Sequence, residues 1–224
     1  MYDWYAIQAE LKRLGFYAGR VDGDRGPLTN QAIVAFKKSI GFRARDYYGP
    51  LTHQALMGDV NVHSSETPWM QEALRVKGLH ERRDNKALRS WFTKSMSWIN
   101  PAEIPWCGAF VATCMRKWNP DVTIPENPLG ARQWGAFGRS VTPVRGAVLT
   151  FWRGSPSGWQ GHVGFYYGED ASAYHVLGGN QSDAVTVTRI AKSRHLESRW
   201  PLGSDIIGEP VWADASGKLS TNEA

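Results

Sequence analysis

The chain has 224 residues, which is long enough for one large domain or two smaller ones with a real hydrophobic core. Its hydrophobic content of 42% and charged content of 21% are ordinary for a globular protein, and no apolar run is long enough to span a membrane. The net charge of +5 favours adsorption to an anionic polymer such as cell wall or nucleic acid. Because there is no long basic run and no nucleic-acid motif, we expect no nucleic-acid partner.

Three amphipathic helices are predicted within residues 1–57. A glycine-punctuated loop over residues 15–28 separates the first helix from the second. Apolar and small residues at helical spacing mark the helices: Trp4, Ile7, Leu11 and Leu14 for the first, Thr29, Ile33, Phe36 and Ile40 for the second, and Thr52, Ala55 and Leu56 for the third. This segment carries eight basic against five acidic side chains, a net charge of +3, so it holds more than half of the excess positive charge.

A short internal repeat marks the second and third helix starts. Residues 26–32 read GPLTNQA, and residues 49–55 read GPLTHQA, so that in both copies a glycine turn precedes a proline in the first helical turn. This pattern, with Asp22-Gly23 and Phe36, resembles the three-helix peptidoglycan-binding domain of bacterial and phage cell-wall hydrolases. The resemblance covers residues 3–57 and implies a wall-binding module at 1–57. Lys37 departs from it, because family members often carry glutamine there.

The rest of the chain follows an α+β pattern. Residues 58–66 are polar and without period, which predicts a linker, and residues 67–213 are expected to form a second domain. Three helices come first in that domain, and residues 120–145 then run over the surface. Strands are predicted at 147–152, 161–167 and 172–177, around 186–188, and at 206–212, and residues 214–224 are expected to form a flexible tail.

Cys107 is the residue around which this second domain is organised. Pro105 lies two residues before it, and Val111, Cys114 and Trp118 follow it at helical spacing. We therefore expect Cys107 in the first turn of a helix. A helix N-terminus favours an anion and can lower the pKa of a cysteine thiol. The alternative is a buried core cysteine. Cys114 lies about 10 Å further along the helix, beyond disulfide reach, which indicates a reducing compartment.

A histidine and an asparagine further along the chain favour catalysis over packing. If a hairpin is centred near Asp170, His162 lies opposite roughly Gly178, and Asn180 is close enough to contact its imidazole. A thiol nucleophile needs a base, and the base needs an orienting partner, which is the Cys-His-Asn variant of the catalytic triad. No pair of histidines has metal-ligand spacing, so we expect neither a metal nor another cofactor.

Four motifs around these residues resemble the CHAP and NlpC-type papain-like peptidoglycan hydrolases. They are Pro105-Trp106-Cys107-x-Ala109-Phe110-Val111, Gly146…Phe151-Trp152-Arg153-Gly154, Gly161-His162-Val163-Gly164-Phe165 and Leu177-Gly178-Gly179-Asn180-Gln181. The resemblance covers roughly residues 68–202. It implies a papain-like domain with helices packed on an antiparallel sheet, and assigns Cys107 as nucleophile, His162 as general base and Asn180 as orienting residue. Many CHAP enzymes carry a glutamate at the position that Gly178 occupies here.

Four further residues are candidates for substrate contact. Trp106, Trp152 and Trp159 flank the predicted cleft, and Glu103 would meet a cationic group of the substrate. The alternatives are structural packing for the aromatic residues and simple solvation for the glutamate.

The function that these observations predict is hydrolysis of an amide bond in the peptide stem of peptidoglycan, with bacterial peptidoglycan as partner and no membrane insertion. The first residues lack the basic and apolar regions of a signal peptide. We therefore expect a monomeric phage endolysin held in the host cytoplasm until it is released to the wall. The alternatives are a secreted antibacterial amidase toxin and a non-catalytic wall-binding protein. A glycosidase is disfavoured, because no carboxylate pair stands out.

Overall fold

The computed structural model describes residues 2–42, 44–57, 66–215, 217–220 and 223. Six α-helices precede the sheet: α1 (Trp4–Arg13), α2 (Pro27–Ser39), α3 (Pro50–Met57), α4 (Pro68–Arg75), α5 (Asn85–Trp91) and α6 (Cys107–Trp118). The strands are β1 (Arg139–Ser140), β2 (Val148–Trp152), β3 (Gly161–Glu169), β4 (Ala173–Gln181), β5 (Ala184–Ala191) and β6 (His195–Trp200). Short 3-10 helices lie at Lys94–Met96, Ala131–Ala136 and Lys192–Arg194. No helix among the described residues is long and apolar enough to cross a membrane.

The first three helices surround a small core of their own, built from the apolar positions that the sequence pattern singles out. Ile7, Leu11, Ile33 and Phe36 are almost completely buried within it. The Asp3 carboxylate accepts hydrogen bonds from the first-turn N–H groups of α1, which satisfies donors that a helix leaves unpaired. Residues 2–42 and 44–57 thus form the predicted three-helix module.

The second domain is an α+β fold, as predicted. Its six strands form one sheet in the order β1-β6-β2-β3-β4-β5, in which each neighbouring pair is antiparallel. Helix α6 packs on β3 and β4, where the ring of Phe110 lies 5.9 Å from that of Phe165. Since α6 is buried from Cys107 to Met115, its first residue is held firmly against the sheet.

The prediction of a strand at residues 206–212 is wrong. Residues 206–212 form no regular strand and make only single bridges, Phe42 with Val211 and Glu169 with Trp212, while His195–Trp200 supplies the sixth strand. The described part of the predicted tail is bound to the sheet. Leu219 bridges to Arg189, and the buried carboxylate of Glu223 accepts bonds of 2.7 and 2.8 Å from Arg194.

The segment around Glu209 attaches the module to the second domain. The Glu209 carboxylate is completely buried, accepts hydrogen bonds of 2.9 and 2.7 Å from the N–H and Oγ1 of Thr52, and lies 3.3 Å from Nζ of Lys37. Lys37 is the position that departs from the wall-binding pattern, and its buried ammonium pairs with the second domain. Of the predicted linker, residues 58–65 lie outside the described residues, and Glu66 is buried in an ion pair with Arg145.

Candidate active site

Cys107 is the first residue of α6, as the sequence predicts. Its thiol is buried, with only 7% of the residue exposed, and burial raises its pKa above the usual value. Backbone hydrogen bonds to the sulfur from Val163 and Gly108, and the charge of Arg153, act in the opposite direction but do not compensate. The net shift is therefore opposite to the lowering expected from the helix N-terminus alone, because the desolvation of a thiolate outweighs the nearby N–H groups.

The imidazole of His162 is fully buried in β3, and its Nε2 lies 3.0 Å from Oε1 of Gln181. The amide nitrogen of Gln181 donates to the carbonyl oxygens of Val176 and Thr186 at 3.2 and 2.6 Å, so the amide oxygen must face the ring. This network assigns the His162 proton to Nε2 and leaves Nδ1 as the acceptor. Burial lowers the pKa of His162 to about 4, although the charge of Glu223 and the Gln181 bond oppose the shift.

A β-bulge explains why Gln181, and not the predicted Asn180, contacts the histidine. Gly178 pairs with Thr186, whereas Gln181 pairs with Ala184, so β4 contains one extra residue between them. Asn180 takes up that residue in a left-handed conformation with φ of 58°. Because side chains alternate along a strand, the insertion moves Gln181 onto the face that a regular strand would give to Asn180.

The two glycines before the bulge leave no room for a side chain. A Cβ added to Gly178 would lie 2.8 Å from Oε1 of Gln181 and 3.2 Å from Nε2 of His162. A Cβ on Gly179 would lie 2.4 Å from the ring of Trp106. The glutamate that many CHAP enzymes carry at the Gly178 position would therefore displace the bond between Gln181 and His162.

Cys107 and His162 lie on elements that pack together, since α6 contacts β3. Within the described part of the chain no hydrogen bond joins the thiol to the imidazole, but the backbone N–H of Val163, the residue after His162, acts on the thiol and lowers its pKa. The sequence pattern did not single out Arg153, whose charge lowers the pKa of both groups and whose N–H bonds the carbonyl of Gln160 at 3.2 Å. Arg153 directly follows β2 and belongs to the motif Gly146…Phe151-Trp152-Arg153-Gly154, so its position in that motif could have marked it as a site residue.

The predicted substrate contacts differ in accessibility. Trp106 is completely buried and donates to Oε2 of Glu81 at 3.1 Å, so it packs in the core instead of meeting substrate. Trp152 is half-buried and donates to the carbonyl of Ser193 at 3.2 Å. Trp159 is 85% exposed on the loop between β2 and β3, and Glu103 is exposed as well. Trp159 and Glu103 are therefore accessible to a large ligand.

His175, which lies in β4, belongs to a cluster of polar side chains that does not include His162. Its Nε2 lies 2.9 Å from Oδ2 of Asp170, which also accepts from Nε of Arg189 at 2.9 Å. Burial raises the pKa of Asp170, but the bonds from Arg189, Ser172 and His175 outweigh it and hold that pKa far below the usual value. His175 is thus buried and paired with Asp170.

Comparison with known proteins identifies the N-terminal module. Residues 2–56 match the family described as a peptidoglycan binding domain. Neither the curated proteins nor the solved structures contain a match to the chain. The chain is therefore a modular protein associated with peptidoglycan, with a peptidoglycan-binding domain followed by an α+β domain.

Proposed function

We propose that the second domain is a papain-like cysteine hydrolase that cleaves an amide bond in the peptide stem of peptidoglycan. The observation that carries this proposal is that a helix with a thiol in its first residue packs on the strand of a buried histidine, whose tautomer is held by Gln181. The wall-binding module supplies the substrate class. The packing of α6 on an antiparallel sheet supports the papain-like arrangement.

The resting pair is neutral, because burial raises the thiol pKa of Cys107 and lowers the imidazole pKa of His162. Nδ1 of His162 takes the thiol proton as the sulfur attacks the carbonyl carbon, and the backbone N–H of Cys107 stabilises the oxyanion. The imidazolium then protonates the leaving amine as the C–N bond breaks. Water, deprotonated by the same histidine, hydrolyses the thioester and restores the thiol.

The burial of the catalytic groups favours a second candidate, a wall-binding protein without activity. Only 7% of Cys107 and 1% of His162 are exposed, so a substrate carbonyl reaches the sulfur only if neighbouring groups move. Catalytic hydrogen bonds are often loose in unliganded enzymes, so the missing bond between Cys107 and His162 is compatible with catalysis.

Mass spectrometry of digested peptidoglycan separates these candidates. The full chain should release products with new peptide amines and no new reducing sugar ends. Cys107→Ala should abolish this release, while Cys114→Ala, which alters a buried cysteine two turns further along α6, should retain it. If the parent chain releases no new products from the peptidoglycan, the non-catalytic candidate is supported. New reducing sugar ends would indicate a glycosidase.

A further inference from the structure

A cleft lies between the wall-binding module and the second domain. It has a volume of about 540 Å³, which is within the range of small-ligand sites. The module contributes Lys37, Arg45 and Tyr47 to its wall, and the second domain contributes Val144, Tyr174 and Ile206 among others. Neither domain alone would form it.

The two walls of this cleft are held in place by buried contacts. Lys37 pairs with the carboxylate of Glu209 and also donates to the carbonyl of Tyr47 at 2.9 Å. The bridge from Phe42 to Val211 adds backbone pairing between the same two parts of the chain. Because these groups are buried, the cleft is preformed and loses little conformational entropy when a ligand enters.

The charges of the cleft are balanced except for one cation. The ammonium of Lys37 pairs with Glu209, and that of Lys192 lies 2.6 Å from Glu169. The guanidinium of Arg45 is exposed and makes no ion pair with any residue that the structure describes. Arg45 also lines an adjacent recess with Trp212, so its charge stands between two concave surfaces.

Aromatic side chains supply the flat surfaces that sugar rings stack on. Tyr47 is 55% exposed, and Tyr174 lines the opposite wall. In the adjacent recess Trp212 is 43% exposed. Exposed aromatic rings beside the exposed guanidinium of Arg45 fit a ligand with apolar sugar faces and a carboxylate, since arginine binds carboxylates in a bidentate manner.

We propose that this interdomain cleft binds a saccharide segment of the wall polymer together with a carboxylate of the attached peptide stem, with Arg45 facing the carboxylate and Tyr47 facing a sugar ring. The proposal rests on the association with peptidoglycan and is independent of cleavage by Cys107. It adds a binding surface that requires both domains, beyond the surface of the three-helix module. A chain docked in this way would be held on the polymer by its module and its second domain together.

Co-sedimentation with purified peptidoglycan tests this site in the full chain carrying Cys107→Ala, so that the polymer is not digested. Tyr47→Ala and Arg45→Gln should each weaken binding by about fivefold or more. Matched controls come from the same module outside the cleft. Tyr5→Ala changes a tyrosine that is 58% exposed, and Arg20→Gln changes an exposed arginine; both should bind like the parent.

Chitin provides a polymer with the same type of sugar and no carboxylate. Tyr47→Ala should weaken binding to both polymers, whereas Arg45→Gln should weaken binding to peptidoglycan alone. Circular dichroism and thermal unfolding confirm that the variants remain folded. Parent-like binding by Tyr47→Ala and Arg45→Gln would overturn the proposal, and so would equal losses in the two control variants. A chain that binds through the cleft but never cleaves would refute only the hydrolase assignment.

Discussion

Oε1 of Gln181 lies 3.0 Å from Nε2 of His162, and the amide that carries it is held from its other side by the carbonyls of Val176 and Thr186. In the proposed hydrolase the glutamine would therefore take the role of the orienting residue of a Cys-His-Asn triad. Asn180 is next to it in sequence, yet the bulge in β4 excludes it from this role.

Gln181→Ala should lower kcat on the order of 10²-fold with little change in KM, because the imidazole loses the group that sets its tautomer and orientation. Asn180→Gly keeps the left-handed backbone at φ of 58° and should remain active. Rates of amine release from purified walls measure both. A fully active Gln181→Ala alongside an inactive Asn180→Gly would restore Asn180 as the orienting residue.

As pH falls, the loss of activity should be centred well below the ordinary pKa of a histidine, 6.5. Since burial lowers the pKa of His162 to about 4, the base stays neutral as pH falls from 7 to about 5, and kcat/KM should change little over that interval. Glu223→Gln removes a charge that raises this pKa, so NMR titration should show a still lower value in that variant. A loss of activity centred near pH 6.5 would contradict the buried, neutral base.

The same shift predicts how stability depends on pH. Between pH 6.5 and about 4 the unfolded chain binds a proton at His162 that the folded chain does not, so the free energy of unfolding falls as pH falls. His162→Gln should remove this part of the dependence and leave the rest. Urea unfolding at a series of pH values measures the difference, and parallel curves for the parent and His162→Gln would contradict it.

Alkylation of Cys107 should be slow at neutral pH. Burial raises its pKa, so the thiolate fraction, and with it the rate of reaction with iodoacetamide, should keep rising by about tenfold per pH unit up to pH 9. Cys114 has a pKa raised still further and should react later, which peptide mass mapping can distinguish. A rate that is already constant between pH 6 and 8 would instead indicate a thiolate stabilised by the helix N-terminus.

Sequence periodicity predicts much of the fold and part of the candidate site. The features that it misses depend on a local irregularity and on a contact between distant positions. The helical spacing after Pro105 correctly predicts Cys107 at a helix start, and β-branched and aromatic runs predict β2 and β3. The bulge in β4 is a one-residue irregularity that no alternation pattern shows, and it changes which side chain faces His162. The ion pair of Lys37 with Glu209 joins positions too distant in sequence for any local pattern to predict.

Gly178→Ala should reduce activity while leaving the fold intact. The added methyl group would lie 2.8 Å from Oε1 of Gln181, so the amide must move away from the imidazole of His162. We expect a loss of kcat comparable to that of Gln181→Ala. Gly26→Ala is a suitable control, because its added Cβ would meet nothing within 4 Å and its φ of −101° suits any residue. Full activity of Gly178→Ala would show that the bond from Gln181 to His162 is dispensable.

The buried pair of Lys37 and Glu209 should make the two domains unfold together. Lys37→Met leaves a buried carboxylate whose remaining side-chain partner among the described residues is Thr52, and should cost about 3 kcal/mol or more of unfolding free energy. In the double variant with Glu209→Gln both charges are gone, so its loss should be smaller than the sum of the single losses.

Urea unfolding measures this coupling, and an exposed ion pair supplies the control. Arg13 pairs with Glu10 within α1, and its side chain is 68% exposed, so Arg13→Met should leave the unfolding midpoint almost unchanged. The parent should unfold in one transition, because the buried carboxylate of Glu209 ties the module to the second domain. Two separate transitions in the parent, or an unchanged midpoint in Lys37→Met, would mean that this contact does not couple the domains, and the preformed cleft beside it would lose its support.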